Sequence, residues 1–459
     1  MVVPDRVRNG VILGGALRAR AAIATVGMRA VAQRRLTLAI LVAVALALRL
    51  AAVADTPDYR PLQDSVQYDR IGVSIAHGHG FPNTYFAPGG GPSAFRPPAY
   101  PYLLAGVYAL SGDSRTAGRV VGCALGAVSV LLMYVLAAAL WGPGLGLLAA
   151  AIAAVFPPLV LLSVALNSEV LFVPFELAAI CAAVLYRQGR GGTPLLVAAG
   201  AACGLAALTR PNGWILVVPL VWAVWLRSGG LGRRLLGRAA VVLLAAAVVV
   251  APWSIRNTVV FHSFEPLNTA AGVILAGEYN DTARDFPRYP GTWLIPYPTI
   301  VPEVASIYRG RPDEAQLDRK LMSHALRYML DHPGYVAKAS ALNALRTFDL
   351  APRAPSAARV DREQRGVGPR AADLDKVSVW LACLLSVAGV VALSRRAAPP
   401  VGLYVWITPI LLVATAFLVL GQDRYRAPIL PFLVVLASLG IAWLVRGPSR
   451  SGAVAGYPH

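Results

Sequence analysis

Ionisable side chains stand at the ends of several long apolar runs in this sequence. Carboxylates occur at Asp64 and Glu169, and guanidinium groups recur just outside other runs. Charged groups are costly at the depth of a lipid bilayer, so they are functional candidates when they occur there. The candidate set is Asp64, Arg96, Glu169, Arg210, Arg256, Arg424 and Arg426. It combines acids that could accept a proton with cations that could hold an anion.

Transfer of a sugar from a polyprenyl phosphate is a reaction that suits this combination. The phosphate departs as a stable anion and needs no general acid, so a single base must take the proton of the acceptor hydroxyl. Cationic side chains must hold the phosphate charge. Glycosidases expel an alcohol instead and use two paired carboxylates. An enzyme that uses a nucleotide sugar would place its site inside the cell.

Each candidate also has a structural alternative. An arginine beside a membrane span can extend to the lipid headgroups, and Glu169 can cap the start of a helix. Asp64 can be an ordinary loop carboxylate. However, several of the arginines are predicted on the outer side, where the positive-inside bias disfavours them. Contact with headgroups alone therefore does not explain the whole set.

Metal and nucleophile motifs are weak or missing. His77 and His79 lack a third ligand, which makes a zinc site a poor interpretation. The four cysteines fall inside apolar runs and form no CxxC pair, so they are predicted to be buried hydrophobic residues. GxSxG, HExxH and Walker sequences do not occur. The sequence thus predicts no certain cofactor, and a divalent metal has only weak support.

The elements that must position these residues are membrane spans. Apolar residues make up 57% of the 459 positions and 14% are charged, whereas a soluble domain carries about a quarter charged residues. The excess falls in runs of about 15 to 20 residues, the length that crosses a bilayer. These runs predict about ten transmembrane helices, at 36–54, 117–140, 145–163, 168–186, 194–209, 213–227, 238–253, 377–394, 401–420 and 427–445.

Arginine placement orients these spans in a cell membrane. Short loops holding Arg187 with Arg190, and Arg233 with Arg234, alternate with loops that hold the acids. Because positive residues mark the inner side, both termini are predicted inside. The N-terminal tail, 1–35, is basic and predicted to be disordered, and a second cytoplasmic tail is 447–459. These loop arginines, rather than nucleic-acid binding, account for the net charge of +19.

Domain organisation follows from the same pattern. The predicted N-terminal transmembrane module, 36–253, contains the first outer loop, 55–116. A second outer segment, 254–376, separates it from the C-terminal spans in 377–446. Within the outer segments, 98–111 predicts an interfacial helix. Asp313 predicts a helix N-cap, a break is expected at His332, and 335–348 resumes a helical pattern.

The ordered motifs resemble the glycosyltransferase C superfamily over about residues 36–446. The resemblance is to the branch of protein O-mannosyltransferases and the lipid A aminoarabinose transferase, including its actinobacterial-type members. The motifs are Asp64-x-x-x-Tyr68-x-x-Ile71, Ile75-Ala76-x-Gly78-x-Gly80-Phe81, Phe95-Arg96-Pro97-Pro98-x-Tyr100-Pro101, Ser168-Glu169, Leu208-Thr209-Arg210-Pro211, Pro252-Trp253-x-Ile255-Arg256-Asn257 and Arg424-Tyr425-x-x-Pro428.

This resemblance implies an all-α polytopic fold of glycosyltransferase C type, with extracytoplasmic juxtamembrane helices. It implies that Asp64 is the catalytic base, that Arg96 contacts the donor phosphate and that Glu169 occupies a second acidic position. Ser65 stands where many members have another acid, which puts metal binding there in doubt. The full set expected to bind substrate is Tyr68, Arg96, Glu169, Arg210, Arg256, Arg424 and Arg426.

The implied activity is hexosyl or pentosyl transfer from a polyprenyl-phosphate-linked donor to an extracytoplasmic protein, lipid or polysaccharide acceptor. The active site would face outward from a multi-pass protein of the plasma membrane. A different class, a transporter or flippase of lipid-linked saccharides, stays open because it would also use outer arginines. It would be expected to show inverted repeats and charges deeper in the spans. An inactive scaffold is a third interpretation.

Overall fold

The computed structural model describes residues 5–84, 86–364, 368–395, 403–418 and 421–447. Within these ranges the chain is helical, with one isolated β-bridge between Asn83 and Pro92. The helices that correspond to predicted spans are α1 (Asp5–Ala54), α4 (Arg115–Trp141), α5 (Pro143–Val155), α6 (Pro157–Leu162), α7 (Glu169–Arg187), α8 (Thr193–Thr209), α9 (Val217–Ser228), α10 (Arg233–Phe261), α17 (Pro369–Ser394), α18 (Leu403–Phe417) and α19 (Leu430–Arg446).

Helices also form in both predicted outer segments. They are α2 (Asp64–Ala76), α3 (Ala99–Ser111), α11 (Ala271–Ala276), α12 (Asp281–Arg284), α13 (Ala305–Tyr308), α14 (Glu314–Asp331), α15 (Pro333–Thr347) and α16 (Pro355–Gln364). The side chain of Asp313 accepts a hydrogen bond of 2.8 Å from the Gln316 amide, which confirms the predicted N-cap. The predicted break at His332 is also confirmed, because Pro333 starts the next helix.

Length and composition together identify five membrane-crossing helices among the described residues. They are Arg29–Ala54, Arg115–Trp141, Glu169–Arg187, Arg233–Phe261 and Pro369–Ser394. Four further apolar helices are shorter: Pro143–Val155, Thr193–Thr209, Val405–Thr415 and Leu430–Arg446. The protein is thus an all-helical, multi-pass membrane protein. The predicted number of about ten spans is a finer prediction that these lengths do not establish.

Three predicted boundaries differ from the helix ends or lie outside the described residues. Helix α1 begins at Asp5, within the predicted tail 1–35, and continues into the first span, while the disorder and cytoplasmic location of that tail stay predictions. Its Ala- and Arg-rich sequence favours helix. The span predicted at 145–163 is interrupted at Phe156, where α5 ends and α6 begins. Most of the predicted tail 447–459 lies outside the described residues.

The interruption at Phe156 has a chemical cause and a charged partner. Pro157 and Pro158 have no N–H groups, so the carbonyls of Ala153 and Ala154 lack their helical donors. The guanidinium of Arg49, fully buried in α1, donates to these carbonyls over 3.5 and 3.2 Å. A cation inside the membrane is therefore stabilised by main-chain oxygens freed by two prolines.

Small residues allow close packing of the bundle. A Cβ atom added at Gly440 of α19 would lie 2.1 Å from the carbonyl oxygen of Leu385 on α17. One added at Gly389 of α17 would lie 2.3 Å from the carbonyl oxygen of Leu436. Glycine therefore lets these two helices touch along their backbones, as is common between membrane helices. This packing places the segment that follows α18 against the outer segments, which together carry the candidate site.

Candidate functional site

Asp64, the first residue of α2, lies between two arginines from distant parts of the chain. Its Oδ1 accepts a hydrogen bond from Nη2 of Arg96, and its Oδ2 lies 2.6 Å from Nη2 of Arg424. Gln67, one helical turn along α2, accepts a 2.6 Å hydrogen bond from Nε of Arg96. The Asp64 side chain remains 19% exposed. The site thus holds one carboxylate with two cations at an accessible surface.

The two arginines determine the charge of this carboxylate. Burial alone would raise the pKa of Asp64, but the nearby charges and hydrogen bonds of Arg424 and Arg96 outweigh it. They hold the pKa of Asp64 well below its usual range. The carboxyl is therefore ionised at every physiological pH. In this arrangement it is a weak base.

A second ion pair lies beside the first one. Glu169 begins α7, is buried, and pairs with Arg210 at the end of α8. The guanidinium of Arg210 stacks over the ring of Tyr425 at 5.1 Å, and that of Arg424 stacks on the same ring at 5.0 Å. Tyr425 thus links the two ion pairs. An aromatic face between two cations reduces their repulsion through cation–π attraction.

The segment between α6 and α7 positions both the acid of this second pair and α2. The hydroxyl of Tyr68 donates to Oγ of Ser168 over 3.1 Å, and Ser65 donates to Oδ1 of Asn167 over 3.0 Å. These two bonds connect successive turns of α2 to the two residues that precede Glu169. The structure therefore brings together six of the predicted residues: Asp64, Tyr68, Arg96, Glu169, Arg210 and Arg424.

A cavity of about 470 Å³ opens at Asp64. One end of it is polar and includes Asp64, Gln67, Arg96, Gln422, Arg424 and Tyr425. The rest of the lining is largely apolar and includes Phe86, Phe95, Trp293, Leu294, Ile295 and Ile300, and the Phe95 ring lies 5.1 Å from the Arg96 guanidinium. Both predicted outer segments contribute to its wall. The cavity therefore combines an anion-binding end with a surface suited to apolar or ring-shaped groups.

Two predicted substrate-binding residues lie elsewhere. Arg426 is buried and pairs with Asp349 at 2.8 Å and with Asp375, so it connects the second outer segment to α17. Arg256 donates to the carbonyl of Ser93 over 2.9 Å. Neither of them lines the cavity at Asp64. Their local contacts indicate roles in holding the chain, while substrate binding by them stays a prediction without support from this geometry.

Some residues of the site were not anticipated from the sequence. Gln67 lies three residues after Asp64 and hence on the same helix face, which is a signal that could have identified it. Arg346 and Arg353 also line the cavity. Arg346 lies in the last turn of α15 and Arg353 follows that helix, far along the chain, and no local pattern connects them to Asp64. Their placement depends on tertiary packing.

The arrangement does not suit a metal ion at Asp64. Both carboxylate oxygens face guanidinium groups, so a divalent cation there would meet two positive charges. The described residues contain no group of three or more His, Cys, Asp or Glu side chains that could hold a metal. His77 and His79 stack with ring centroids 6.5 Å apart, and His77 lies 3.5 Å from Asp113. His77, His79 and Asp113 thus provide two imidazole groups and one exposed carboxylate.

The described residues define a helical, multi-pass membrane protein with a charged cavity. Its fold is similar to that of the oligosaccharyltransferase AglB from Archaeoglobus fulgidus, with a TM-score of 0.52 and 13% identity. The similarity covers 90% of this chain and 50% of that protein. The chain therefore spans about half the length of this relative.

Residues 95–255 match the family described as dolichyl-phosphate-mannose-protein mannosyltransferase. Two solved structures are less similar. ArnT from Cupriavidus metallidurans has a TM-score of 0.44 and 15% identity, over 88% of this chain and 77% of that one. The S. cerevisiae protein O-mannosyltransferase Pmt1-Pmt2 complex has a TM-score of 0.41 and 22% identity, over 54% of this chain and 36% of that one. No curated protein matches the sequence. The family match over residues 95–255 and the fold similarity to AglB confirm the resemblance that the motifs predicted.

Proposed function

We propose that this protein is a membrane glycosyltransferase. It would move a hexosyl or pentosyl unit from a polyprenyl-phosphate donor to a protein, lipid or polysaccharide acceptor on the outer side of the plasma membrane. The observation that carries the proposal is the position of Asp64 between Arg96 and Arg424 at the polar end of a cavity. The name of the matching family, which specifies a dolichyl-phosphate sugar, supports a donor of this class.

The charges at the polar end favour an anion. Asp64 carries one negative charge while Arg96 and Arg424 carry two positive charges, so this triad has a surplus of one positive charge. The pair of Glu169 with Arg210 is neutral. Guanidinium groups bind phosphate oxygens with charge-assisted hydrogen bonds. A sugar joined to a polyprenyl chain through one phosphodiester, which carries one negative charge, therefore matches the triad in sign.

Donor binding would also convert Asp64 into a better base. Each arginine that turns toward the phosphate loses contact with the carboxylate, and the cause of the low pKa of Asp64 is removed to that extent. The pKa of Asp64 would then rise toward its ordinary range. Proton transfer from an acceptor hydroxyl becomes more favourable as that pKa rises. Base strength would thus depend on the presence of donor.

The proposed reaction is a single displacement at the anomeric carbon. The acceptor oxygen forms a bond to this carbon while its proton passes to the Asp64 carboxylate. The bond between the anomeric carbon and the phosphate oxygen breaks, and the electron pair leaves with the phosphate. Arg96 and Arg424 would stabilise the charge that develops on this leaving group. The products are the glycosylated acceptor and polyprenyl phosphate.

Glu169, Arg210 and Tyr68 would support the triad. Tyr425 contacts both Arg210 and Arg424 through its ring, so the second ion pair helps to fix the Arg424 guanidinium. Tyr68 connects α2 to the start of α7 through Ser168. The face of the Tyr68 ring lies 5.3 Å from the Arg96 guanidinium. These contacts would hold the phosphate-binding cations in place before donor arrives.

A transporter or flippase is the second candidate, and one observation favours it. Glu176 lies inside the span formed by α7, is completely buried, and accepts no hydrogen bond from any described residue. Intramembrane acids of this kind occur in proton-coupled transporters.

Purified protein in detergent distinguishes the two functions, because no membrane remains to be crossed. The transferase should release polyprenyl phosphate from a polyprenyl-phosphate sugar when cell-envelope extract supplies acceptors, and release it slowly with water alone. A flippase should release none. Donor that binds but stays intact under all these conditions would contradict the transferase and favour the transporter.

A further inference from the structure

Arg96 follows a short non-helical segment, Ser93–Phe95, whose three carbonyls are all held by other parts of the chain. The Ala94 carbonyl accepts a 3.2 Å hydrogen bond from the Thr269 amide, and the Phe95 carbonyl accepts one of 3.4 Å from Asn268. The carbonyl of Ser93 is held by Arg256. The orientation of Arg96 therefore depends on the second outer segment.

Glu314 makes the shortest contacts to this segment. Its Oε1 accepts from the Ala94 amide at 2.7 Å, and its Oε2 accepts from the hydroxyl of Ser93 at 2.8 Å. Oε1 also accepts from the hydroxyl of Thr269 at 2.5 Å. One side chain therefore connects the segment before Arg96, the loop at Thr269 and the first turn of α14.

Glu314 is a buried acid that has no cation within ion-pair distance among the described residues. Glu314 is only 2% exposed. Burial of a carboxylate is costly unless hydrogen bonds satisfy it, and here three donors do so. Glu314 is also the first residue of an 18-residue helix, where the helix dipole stabilises a negative charge. The site is thus built around this carboxylate.

We propose that Glu314 is a positioning residue for Arg96. It would fix the Ser93–Phe95 segment so that the Arg96 guanidinium meets the donor phosphate beside Arg424. This inference rests on the proposed function and adds a dependence of the donor site in the first outer loop on the second outer segment. A purely structural role would stabilise α14 without a specific effect on Arg96.

A double-mutant cycle in donor binding separates these roles, with undecaprenyl monophosphate as the probe and purified protein in detergent. Arg96→Ala should weaken binding by about tenfold or more, and Glu314→Ala by about five- to tenfold. In the Arg96→Ala background, Glu314→Ala should change binding by less than about twofold, since coupled residues are not additive. Equal losses from Glu314→Ala in both backgrounds would overturn the proposal.

Asp318 provides the matched control. It lies one turn further along α14, is similarly buried, and accepts 2.6 and 3.3 Å hydrogen bonds from the amides of Gly272 and Val273. It does not contact the segment before Arg96. Asp318→Ala should therefore leave probe binding nearly unchanged. A loss as large as that of Glu314→Ala would show a general effect of α14 and would overturn the proposal.

Hydrogen exchange provides a readout that needs no ligand. Glu314→Ala should speed amide exchange in peptides that cover residues 93–96, whereas Asp318→Ala should do so at 272–273. Unchanged exchange at 93–96 overturns the positioning role. Wild-type protein that binds no probe would contradict the proposed donor while exchange still reports on Glu314, so the two failures can be distinguished.

Milder variants cover a failure of Glu314→Ala to fold. Glu314→Gln keeps an acceptor for the Ala94 amide and should retain part of the probe affinity. Ser93→Ala removes the bond to Oε2 and the 3.1 Å bond that Ser93 Oγ accepts from the Phe95 amide, and it should give a smaller loss that again disappears in the Arg96→Ala background. Losses that persist in that background for both variants would contradict the inference.

Discussion

Replacement of Asp64 by Asn should move donor binding and turnover in opposite directions. The carboxylate now competes with donor phosphate for Arg96 and Arg424, and each charge-assisted contact is worth about 1.5–3 kcal/mol. If the amide side chain stops competing with phosphate for only one of the two arginines, the free energy of donor binding becomes about 1.5 kcal/mol more favourable. That corresponds to donor affinity about tenfold higher. Loss of the base should nevertheless reduce transfer by about 100-fold or more.

The assay measures undecaprenyl monophosphate binding and polyprenyl phosphate release on the same detergent preparation. Asp69→Asn is the matched control, because Asp69 lies on the same helix but pairs with Arg115 at 2.9 Å and accepts from Tyr108 at 2.8 Å. It should keep most of the transfer activity. Near-normal turnover of Asp64→Asn would refute Asp64 as the base. Weaker probe binding by Asp64→Asn would refute the competition between carboxylate and phosphate.

Three further predictions concern separate regions. Arg96→Ala should weaken donor use by about 10- to 150-fold, and Arg96→Lys should recover part of this loss because a point charge still serves a phosphate; equal activity of both variants with wild type would contradict its role. A cysteine at position 285 should react with an impermeant reagent from outside intact cells and one at position 230 should not, and the reverse pattern would contradict the predicted topology. Burial raises the pKa of Asp318 in the folded protein to about 7. The same carboxyl ionises in its ordinary range in the unfolded chain, so the free energy of unfolding decreases as pH rises from that range to about 7. Asp318→Asn should therefore unfold at a higher temperature than wild type at pH 8 and at the same temperature at pH 4, and a gain confined to low pH would contradict this sign.

Local sequence patterns were enough for the features that depend on local physics. Apolar run length identified the helical membrane character, Asp313 identified a helix start, and His332 with the following proline identified a break. The motif set led to Asp64 and Arg96, which lie together in the structure. The helix start and the break are each encoded within a few residues, as a cap and a proline, and the membrane character is encoded in the length of single apolar runs.

Features that depend on distant parts of the chain were not accessible in this way. The pairing of Asp64 with Arg424 joins residues 360 positions apart, and no periodicity specifies it. Arg426 stands two residues from Arg424 yet pairs with Asp349 and Asp375, because a short 3-10 turn sends the two side chains to different surroundings. Sequence spacing alone could not separate the two arginines.

The contact of Arg49 with the carbonyls before Pro157 has a consequence for how this protein enters the membrane. When α1 leaves the insertion machinery, α5 has not yet been synthesised, and the carbonyl of Ala45 in α1 itself is the main-chain partner that Arg49 already has. An arginine at the centre of a membrane helix opposes insertion by about 2.5–3.5 kcal/mol, and the cost for Arg49 is smaller because it lies near the end of the span Arg29–Ala54. Insertion of the apolar residues of α1 must offset this cost until Pro157 and Pro158 are synthesised about a hundred residues later. Biogenesis of α1 is therefore coupled to that of α5, and replacement of both prolines would leave the arginine to compete with intact helical hydrogen bonds.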